Sequence, residues 1–242
     1  RLSLFAACFC ACALAIGWSG CGALFAQSAA QSPAEPQQAA PHHREGAAEG
    51  AHRRFENAQH WAKVFDDPER DGWQKPEEVL GALDLKNNSV VADIGAGTGY
   101  FSVRIAKRVP EGKVLAADIE PDMVRYLGER ARQEGLANLI PVLSDAGSAK
   151  LPERADVILF VDTYHHIANR VEYFAKLKAS LGPKGRLAII DFKPDSVNGP
   201  PPKHRIAAEQ VERELNAAGY ALVKAHPFLP RQYFLVFEKR DG

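Results

Sequence analysis

The hydrophobic positions of this chain change their period repeatedly from about residue 85 onward. Continuous apolar runs, which are typical of strands buried on both faces of a sheet, stand at 89–94, 113–118, 139–143, 155–161 and 186–191. Segments with apolar residues at helical spacing lie between them, at 99–109, 121–134, 169–181 and 207–219. Strands that alternate with helices predict a parallel sheet that is covered by helices on both faces.

The C-terminal end of the chain departs from this alternation. Two apolar segments, "YALVKAH" (220–226) and "QYFLVFEK" (232–239), are separated only by "PFLPR". A link this short is typical of antiparallel neighbours, because parallel neighbours need a long crossover. We therefore expect an α/β fold with a seven-stranded, mostly parallel sheet, an antiparallel last strand and helices on both faces.

The start of the chain differs in composition from the rest. From its second residue to Ala26 there is no charged side chain. This predicts an export segment over 1–26: a cleaved signal peptide, a bacterial lipoprotein signal ending at "SGC" (19–21) or an uncleaved membrane anchor. Residues 27–52 predict a disordered linker. The chain is expected to be exported and either periplasmic, lipid-anchored or anchored in the membrane, with one globular domain over 53–242.

Charge and cysteine content argue against several kinds of site. Thirty basic side chains balance thirty acidic ones, whereas nucleic-acid-binding proteins carry a basic surplus or a basic face. We expect no nucleic-acid partner. All four cysteines lie at or before Cys21, which excludes a cysteine nucleophile or a thiolate metal site in the globular part.

The most informative motif is the glycine loop "VADIGAGTGYFS" (91–102) after the first strand. Tyr100 stands where a dinucleotide-binding loop has its third glycine, and no Lys-Ser/Thr pair follows as it would in a phosphate-binding loop. Asp118 ends the second strand, at the separation where a carboxylate meets the hydroxyls of a ribose. The expected ligand therefore has a ribose and no pyrophosphate.

Together with "VLAADIEPDMV" (114–124), this loop resembles the first two motifs of the class I S-adenosylmethionine-dependent methyltransferases. The resemblance extends from about residue 75 to 238. It implies a Rossmann-like fold and S-adenosylmethionine as the cofactor.

The resemblance also implies roles for individual residues. Asp93 would order the loop and meet the ammonium group of the cofactor, and Asp118 would hold the ribose hydroxyls. Asp145 would meet the adenine amino group, although a residue in this position after a strand can also be a simple turn residue. The expected cofactor contacts are Asp93, Gly95, Ala96, Gly97, Gly99, Asp118, Ile119, Asp145, Ala146 and Asp162.

The fourth strand ends in "VDTYHHI" (161–167), where catalytic side chains are expected. Asp162 and His165 are the candidates; a base is needed only if the acceptor must lose a proton. A histidine here can instead be structural and pack against the following helix. Asp162 and Asp191 also resemble the acid pair in the metal site of catechol-type O-methyltransferases, but Phe192 replaces the Asn ligand of that pattern, so no metal is expected.

Five residues are candidates for binding the methyl acceptor: Trp73, Tyr164, His166, His204 and Arg205. The segment around Trp73 either folds over the cofactor or acceptor or simply starts a helix. His204 and Arg205 follow a proline-rich loop and suit an anionic or polar acceptor. The N/D-P-P-Y/F motif is absent after the fourth strand, which argues against methylation of nucleic-acid amino groups.

The sequence therefore predicts methyl transfer to a small-molecule acceptor by in-line displacement. A second hypothesis is a catalytically silent protein that binds the cofactor or a partner on the same fold. A third is a protein methyltransferase, because "QKP" (74–76) resembles a segment of isoaspartyl-repair enzymes. A membrane tether through the N-terminus is possible under the export hypotheses, and the oligomeric state is not predicted.

Overall fold

The computed structural model of the protein describes residues 55 and 57–240. The predicted export segment (1–26) and the predicted linker (27–52) lie outside the described residues. No helix among the described residues is long and apolar enough to cross a membrane.

The seven strands form one sheet in the order β3-β2-β1-β4-β5-β7-β6. All neighbours are parallel except β7, which is antiparallel to both β5 and β6. This confirms the predicted Rossmann-like fold with its antiparallel last strand. The strands are β1 (Val90–Ile94), β2 (Lys113–Asp118), β3 (Leu139–Leu143), β4 (Ala155–Val161), β5 (Leu181–Phe192), β6 (Tyr220–His226) and β7 (Gln232–Lys239).

Helices cover both faces of the sheet. They are α1 (Ala58–Phe65), α2 (Arg70–Gln74), α3 (Pro76–Leu83), α4 (Tyr100–Arg108), α5 (Pro121–Gln133), α6 (Arg170–Leu177) and α7 (Ala208–Ala217), with 3₁₀ turns at Tyr164–His166, Lys178–Ser180 and Pro202–His204. Along β4, Ile158 and Phe160 belong to one hydrophobic core, and Val157 and Leu159 belong to the core on the opposite face. This two-sided burial explains why the central strands are continuous apolar runs.

One predicted boundary is wrong. We expected a helix over 169–181 and a strand from residue 186, but α6 ends at Leu177 and β5 already begins at Leu181. The "GPKG" segment, which resembles a helix stop, lies inside β5 where the register with β4 shifts. A Cβ on Gly185 would come within 2.9 Å of the backbone nitrogen of Gly182, so glycine is needed for the close approach at this irregularity.

Helix α1 packs against α5, and side chains of α5 hold it in place. The Ala58 backbone N–H donates to Asp122 at 2.6 Å. Arg130 donates to the Asp66 carboxylate at 3.0 Å and to the Thr98 carbonyl at 2.9 Å. These bonds place the end of α1 beside the loop that follows β1.

Candidate functional site

The loop between β1 and α4 lies at the carboxyl edge of the sheet. Gly95, Gly97 and Gly99 have φ angles of +74°, +56° and +91°, which favour glycine. A Cβ on Gly95 would overlap the side chain of Thr163, which follows β4. A Cβ on Gly97 would lie 3.4 Å from the ring of Phe65. The loop is thus enclosed by the end of β4 and by α1, and Ala96 is carried within it.

Asp118, at the end of β2, lies beside this loop. Its carboxylate accepts hydrogen bonds from the backbone N–H groups of Gly97 at 2.8 Å and Glu120 at 2.9 Å. Burial raises the pKa of Asp118 above its usual value. Ile119, the next residue, is an exposed apolar side chain at the same edge. The contact of Asp118 with a ribose stays a prediction.

Asp93 is buried below the loop, with 3% of its surface exposed. Its carboxylate accepts a hydrogen bond from the Ser102 hydroxyl at 2.6 Å. Burial raises the pKa of Asp93 to about 6, although the Ser102 hydrogen bond and the charge of Arg70 oppose this. The nearby Thr98 hydroxyl is buried without a hydrogen-bond partner among the described residues. A buried acid and an unpaired hydroxyl beside a glycine loop are consistent with a polar ligand here.

Asp145 and Ala146 lie in an exposed turn after β3. The Asp145 carboxylate accepts from the Gly147 N–H at 2.9 Å and pairs with Lys150 at 2.9 Å. These contacts are those of a turn residue, the alternative that the sequence left open. The adenine contact of Asp145 stays a prediction.

His165 and Asp191 form a buried pair at the carboxyl ends of β4 and β5. Nδ1 of His165 lies 2.9 Å from each carboxylate oxygen of Asp191. The backbone N–H groups of His165 and Phe192 also donate to Asp191, at 3.1 Å and 2.8 Å. The side chains are only 6% and 2% exposed. Burial alone would lower the pKa of His165, but the hydrogen bond and charge of Asp191 and the charge of Asp162 raise it overall.

Asp162 belongs to a closed ring of polar side chains that joins α2 to the sheet. Gln232 donates to Asp162 and accepts from Gln74 at 2.6 Å. Arg70 donates to Gln74 at 3.2 Å and lies 3.5 Å from the Asp162 carboxylate. Asp162 itself has a left-handed backbone, with φ of +55°. Burial raises the pKa of Asp162, with Arg70 opposing this and Asp191 adding to it.

Arg70 and its helix α2 were missed by sequence reasoning. The Arg70 guanidinium lies 4.0 Å from the centre of the Tyr100 ring, and Arg104 lies 4.1 Å from the same ring. The Tyr100 hydroxyl donates to Asp71. Tyr100 therefore anchors α2 to the glycine loop. The glycine that dinucleotide-binding loops have at this position could not make these contacts. The only sequence signal was the position of Arg70 in the segment expected to fold over the site.

The expected acceptor-binding residues lie in different surroundings. The assignment of Tyr164 is corrected by the structure: its ring is fully buried against Phe174, and its hydroxyl donates to Glu214 at 2.6 Å, so no surface is left for an acceptor. Trp73 packs against Phe192, with 5.7 Å between ring centres. His166 is exposed and contacts Phe55.

The two residues after the proline-rich loop are engaged differently from each other. Arg205 donates to the carbonyls of Pro194, Ser196 and Pro200, so it holds the loop together. His204 is exposed beside it. Binding of an acceptor by either residue stays a prediction.

A family model described as "Methyltransferase domain" matches residues 85–225, which include the glycine loop, Asp118 and the His165–Asp191 pair. The chain belongs to this methyltransferase family. A crystal structure of a SAM-dependent methyltransferase from Aquifex aeolicus is 29% identical, with a TM-score of 0.70, over 75% of this chain and 97% of that one. The family and this neighbour confirm S-adenosylmethionine as the expected cofactor.

Curated relatives match shorter parts of the chain and have several activities. The chain is 26% identical to (S)-coclaurine N-methyltransferase from Thalictrum flavum subsp. glaucum over 43% of this chain and 29% of that protein. It is 32% identical to protein-L-isoaspartate O-methyltransferase from Aeropyrum pernix over 48% of this chain and 44% of that protein. The chain spans less than half the length of these relatives.

The residues of this methyltransferase domain fit the cofactor. Asp93 and Asp118 place two carboxylates beside the glycine loop, and Thr98 has a buried hydroxyl without a hydrogen-bond partner among the described residues, which suits a ligand with ammonium and hydroxyl groups. Within the described part of the chain, no group of three His, Cys, Asp or Glu side chains is arranged to hold a metal ion.

Proposed function

We propose that this domain transfers the methyl group of S-adenosylmethionine to a small-molecule acceptor. One observation carries the proposal: Thr163 packs against Gly95, so the cofactor loop and the His165–Asp191 pair lie side by side at one edge of the sheet. When bound, the cofactor supplies a methyl group that is activated on a sulfonium. The chain has to align donor and acceptor for in-line displacement, and alignment alone can lower a barrier by roughly 7–11 kcal/mol.

The proposed roles of the individual residues follow from their positions. Asp93, Thr98 and the glycine loop would hold the amino-acid part, and Asp118 would hold the ribose. Asp162 would line the pocket between cofactor and acceptor. It would not act as the base, because its carboxylate is already engaged by Gln232 and Arg70. Trp73 and His166 would contact the acceptor.

A protein acceptor is the second candidate, because one relative at 32% identity is a protein-L-isoaspartate O-methyltransferase. The short "QKP" likeness gives it little support. Gln74 is fully buried and bonded to Gln232 and Arg70, so it acts here as a structural residue and not as a substrate contact. We therefore favour the small molecule.

Export of the chain is also part of the proposal. The uncharged segment that ends at Ala26 and the "SGC" at 19–21 support it. The mass and N-terminal sequence of the chain recovered from cells distinguish the three forms: cleavage after Ala26, a lipid on Cys21, or an intact anchor. A cytoplasmic, unmodified chain would contradict export.

Calorimetric titration with S-adenosylmethionine tests the cofactor site first. We expect micromolar binding that is lost in Asp118→Ala and kept in Glu153→Ala, because Glu153 pairs with Lys113 at the opposite edge of the sheet. Release of S-adenosylhomocysteine with a panel of small acceptors and peptides then separates the candidates. Binding without any turnover would favour the silent alternative, and absence of binding would contradict the proposal.

A further inference from the structure

The hydrogen bonds around His165 fix which of its ring nitrogens carries the proton. Asp191 is surrounded by donors only: Nδ1 of His165 and the backbone N–H groups of His165 and Phe192. An ionised carboxylate accepts and cannot donate, so Nδ1 must carry a hydrogen. In the neutral imidazole the other nitrogen, Nε2, is then the proton acceptor. No described residue forms a hydrogen bond with Nε2.

The position of this imidazole relates it to the methyl donor. His165 lies two residues after Thr163, whose side chain packs against Gly95 in the cofactor loop. An imidazole that is held by a buried carboxylate and has one free nitrogen is the arrangement of a general base. It stands two residues from the side chain that packs against the glycine loop.

We propose that His165 is the general base for a phenolic hydroxyl acceptor and that Asp191 is its positioning residue; this rests on the proposed methyltransferase function. A neutral amine has a lone pair and can attack before it loses a proton. A hydroxyl is a weak nucleophile until its proton is removed, so a dedicated base is useful mainly for hydroxyl acceptors.

Aromatic side chains on both sides of the pair favour an aromatic acceptor. The ring of His166 lies against that of His165, tilted by 40° with 4.1 Å between ring centres, and Phe55 contacts His166 with 6.0 Å between ring centres. On the other side, Phe192 follows Asp191 directly and packs against Trp73. Planar rings bind well between such side chains.

The transfer step balances without a further reactant. The acceptor oxygen forms a bond to the methyl carbon, and the bond from that carbon to the cofactor sulfur breaks with its electron pair left on sulfur. The hydroxyl proton moves to Nε2 of His165. The resulting imidazolium is stabilised by its Nδ1 hydrogen bond to the Asp191 carboxylate.

Several groups face His165 and affect its titration. Asp191 on β5 and Asp162 at the end of β4 are the negative charges, and Arg70 on α2 partly neutralises Asp162. His166 is the neighbouring imidazole, and Tyr233 on β7 pairs with Asp191 in the sheet register. The two carboxylates dominate, because they raise the pKa of His165 despite its burial.

Nitrogen-15 NMR of the histidine-labelled chain tests the tautomer without any acceptor. The His165 signals are assigned by their loss in His165→Asn. We expect the Nδ1–H tautomer at high pH and a pKa above the ordinary histidine value that falls in Asp191→Asn. Asp84→Asn is the control, since Asp84 is exposed and Asn tolerates its left-handed backbone. An Nε2–H tautomer, or a pKa that Asp191→Asn leaves unchanged, would overturn the assignment.

Turnover with matched acceptors tests the substrate class. Catechol, 2-aminophenol and 1,2-diaminobenzene are compared by release of S-adenosylhomocysteine and by mass spectrometry of the product. We expect methylation on oxygen and a loss of roughly 10²–10⁴-fold in kcat in His165→Asn and Asp191→Asn. The rise of kcat/KM with pH should shift to lower pH in Asp191→Asn, and Asp84→Asn should match the wild type.

The outcomes separate this inference from the proposed function. Methylation of the diamine as fast as of catechol, or wild-type rates in both variants, would overturn the hydroxyl assignment and leave the methyltransferase function standing. Cofactor binding without methylation of either hydroxyl compound would also overturn the phenol assignment. Failure of the wild-type chain to bind S-adenosylmethionine would overturn the proposed function itself.

Discussion

Gly95 and Gly135 both have a left-handed backbone, with φ of +74° and +67°, but their surroundings differ. A Cβ on Gly95 would overlap Thr163, whereas a Cβ on Gly135 would meet nothing within 4 Å. Gly135→Ala should therefore cost only the backbone strain, about 1 kcal/mol. Gly95→Ala should cost more and abolish cofactor binding. Urea unfolding and calorimetry measure both, and equal losses of stability in the two variants would contradict the packing argument.

Asp93 shows how a single buried acid can reduce stability at neutral pH. Its pKa of about 6 lies above the value of 3.8 in the unfolded chain, so the folded protein holds this proton more tightly. The bound proton therefore stabilises the folded protein. This stabilisation is complete below about pH 4 and is lost as the pH rises through about 6. Over that window the loss is on the order of 3 kcal/mol.

Asp93→Asn should therefore raise the free energy of unfolding at pH 8 by on the order of 1–3 kcal/mol, with the gain vanishing near pH 4. Cofactor binding should weaken in the same variant, because the negative charge for the ammonium is gone. Thermal melts from pH 4 to 8 measure the first effect, with Asp84→Asn as an exposed control. A gain that is independent of pH would contradict the explanation.

At the scale of elements, the ring of Arg70, Gln74, Gln232 and Asp162 attaches α2 to the sheet. Helix α2 has only five residues and no side-chain N-cap hydrogen bond. A helix this short has little stability of its own. Its position is therefore determined by the ring and by the packing of Arg70 on Tyr100.

Arg70→Gln should be clearly more destabilising than Arg104→Gln, although both cations lie on the same tyrosine ring. Arg70 neutralises a largely buried carboxylate, and removal of one partner from a buried pair costs about 3–5 kcal/mol. Arg104 pairs with the exposed Asp71, and such pairs contribute roughly 0–1 kcal/mol. Urea denaturation gives both values. Equal losses would show that stacking on Tyr100, and not the charge of Asp162, is the main effect.

The elements that the sequence predicted well are those buried on two faces, because their apolar runs are continuous. Helix α2 was missed because five residues that include Gly72 have no periodic pattern. The polar ring was missed because Gln74 and Gln232 are 158 residues apart, a pairing that only the fold creates. Tyr164 was misassigned because, in the tight turn after β4, spacing along the chain does not determine which side chains face the cleft and which the core.

At the scale of the whole domain, the residues before β1 and the cofactor motifs form one continuous structure. The backbone N–H groups of Phe55 and Ala58 donate to the side chains of Glu120 and Asp122, which follow Asp118 in the chain. The ring of Phe65 lies over Gly97. Cofactor binding should therefore stabilise α1 and α2 together with the glycine loop, even though the family match begins only at residue 85.

Hydrogen exchange measured by mass spectrometry tests this coupling. A ligand at 100 times its Kd stabilises the binding-competent state by about 2.7 kcal/mol, so exchange that requires opening of the site should slow by up to roughly 100-fold. We expect this slowing at 57–74 and 93–102 with S-adenosylmethionine. Strand β6 is the internal control, because it lies at the far edge of the sheet. If binding protected 93–102 but left 57–74 unchanged, α1 and α2 would pack on the domain without closing its cofactor site, and Phe65 would be a core residue instead of part of a cover.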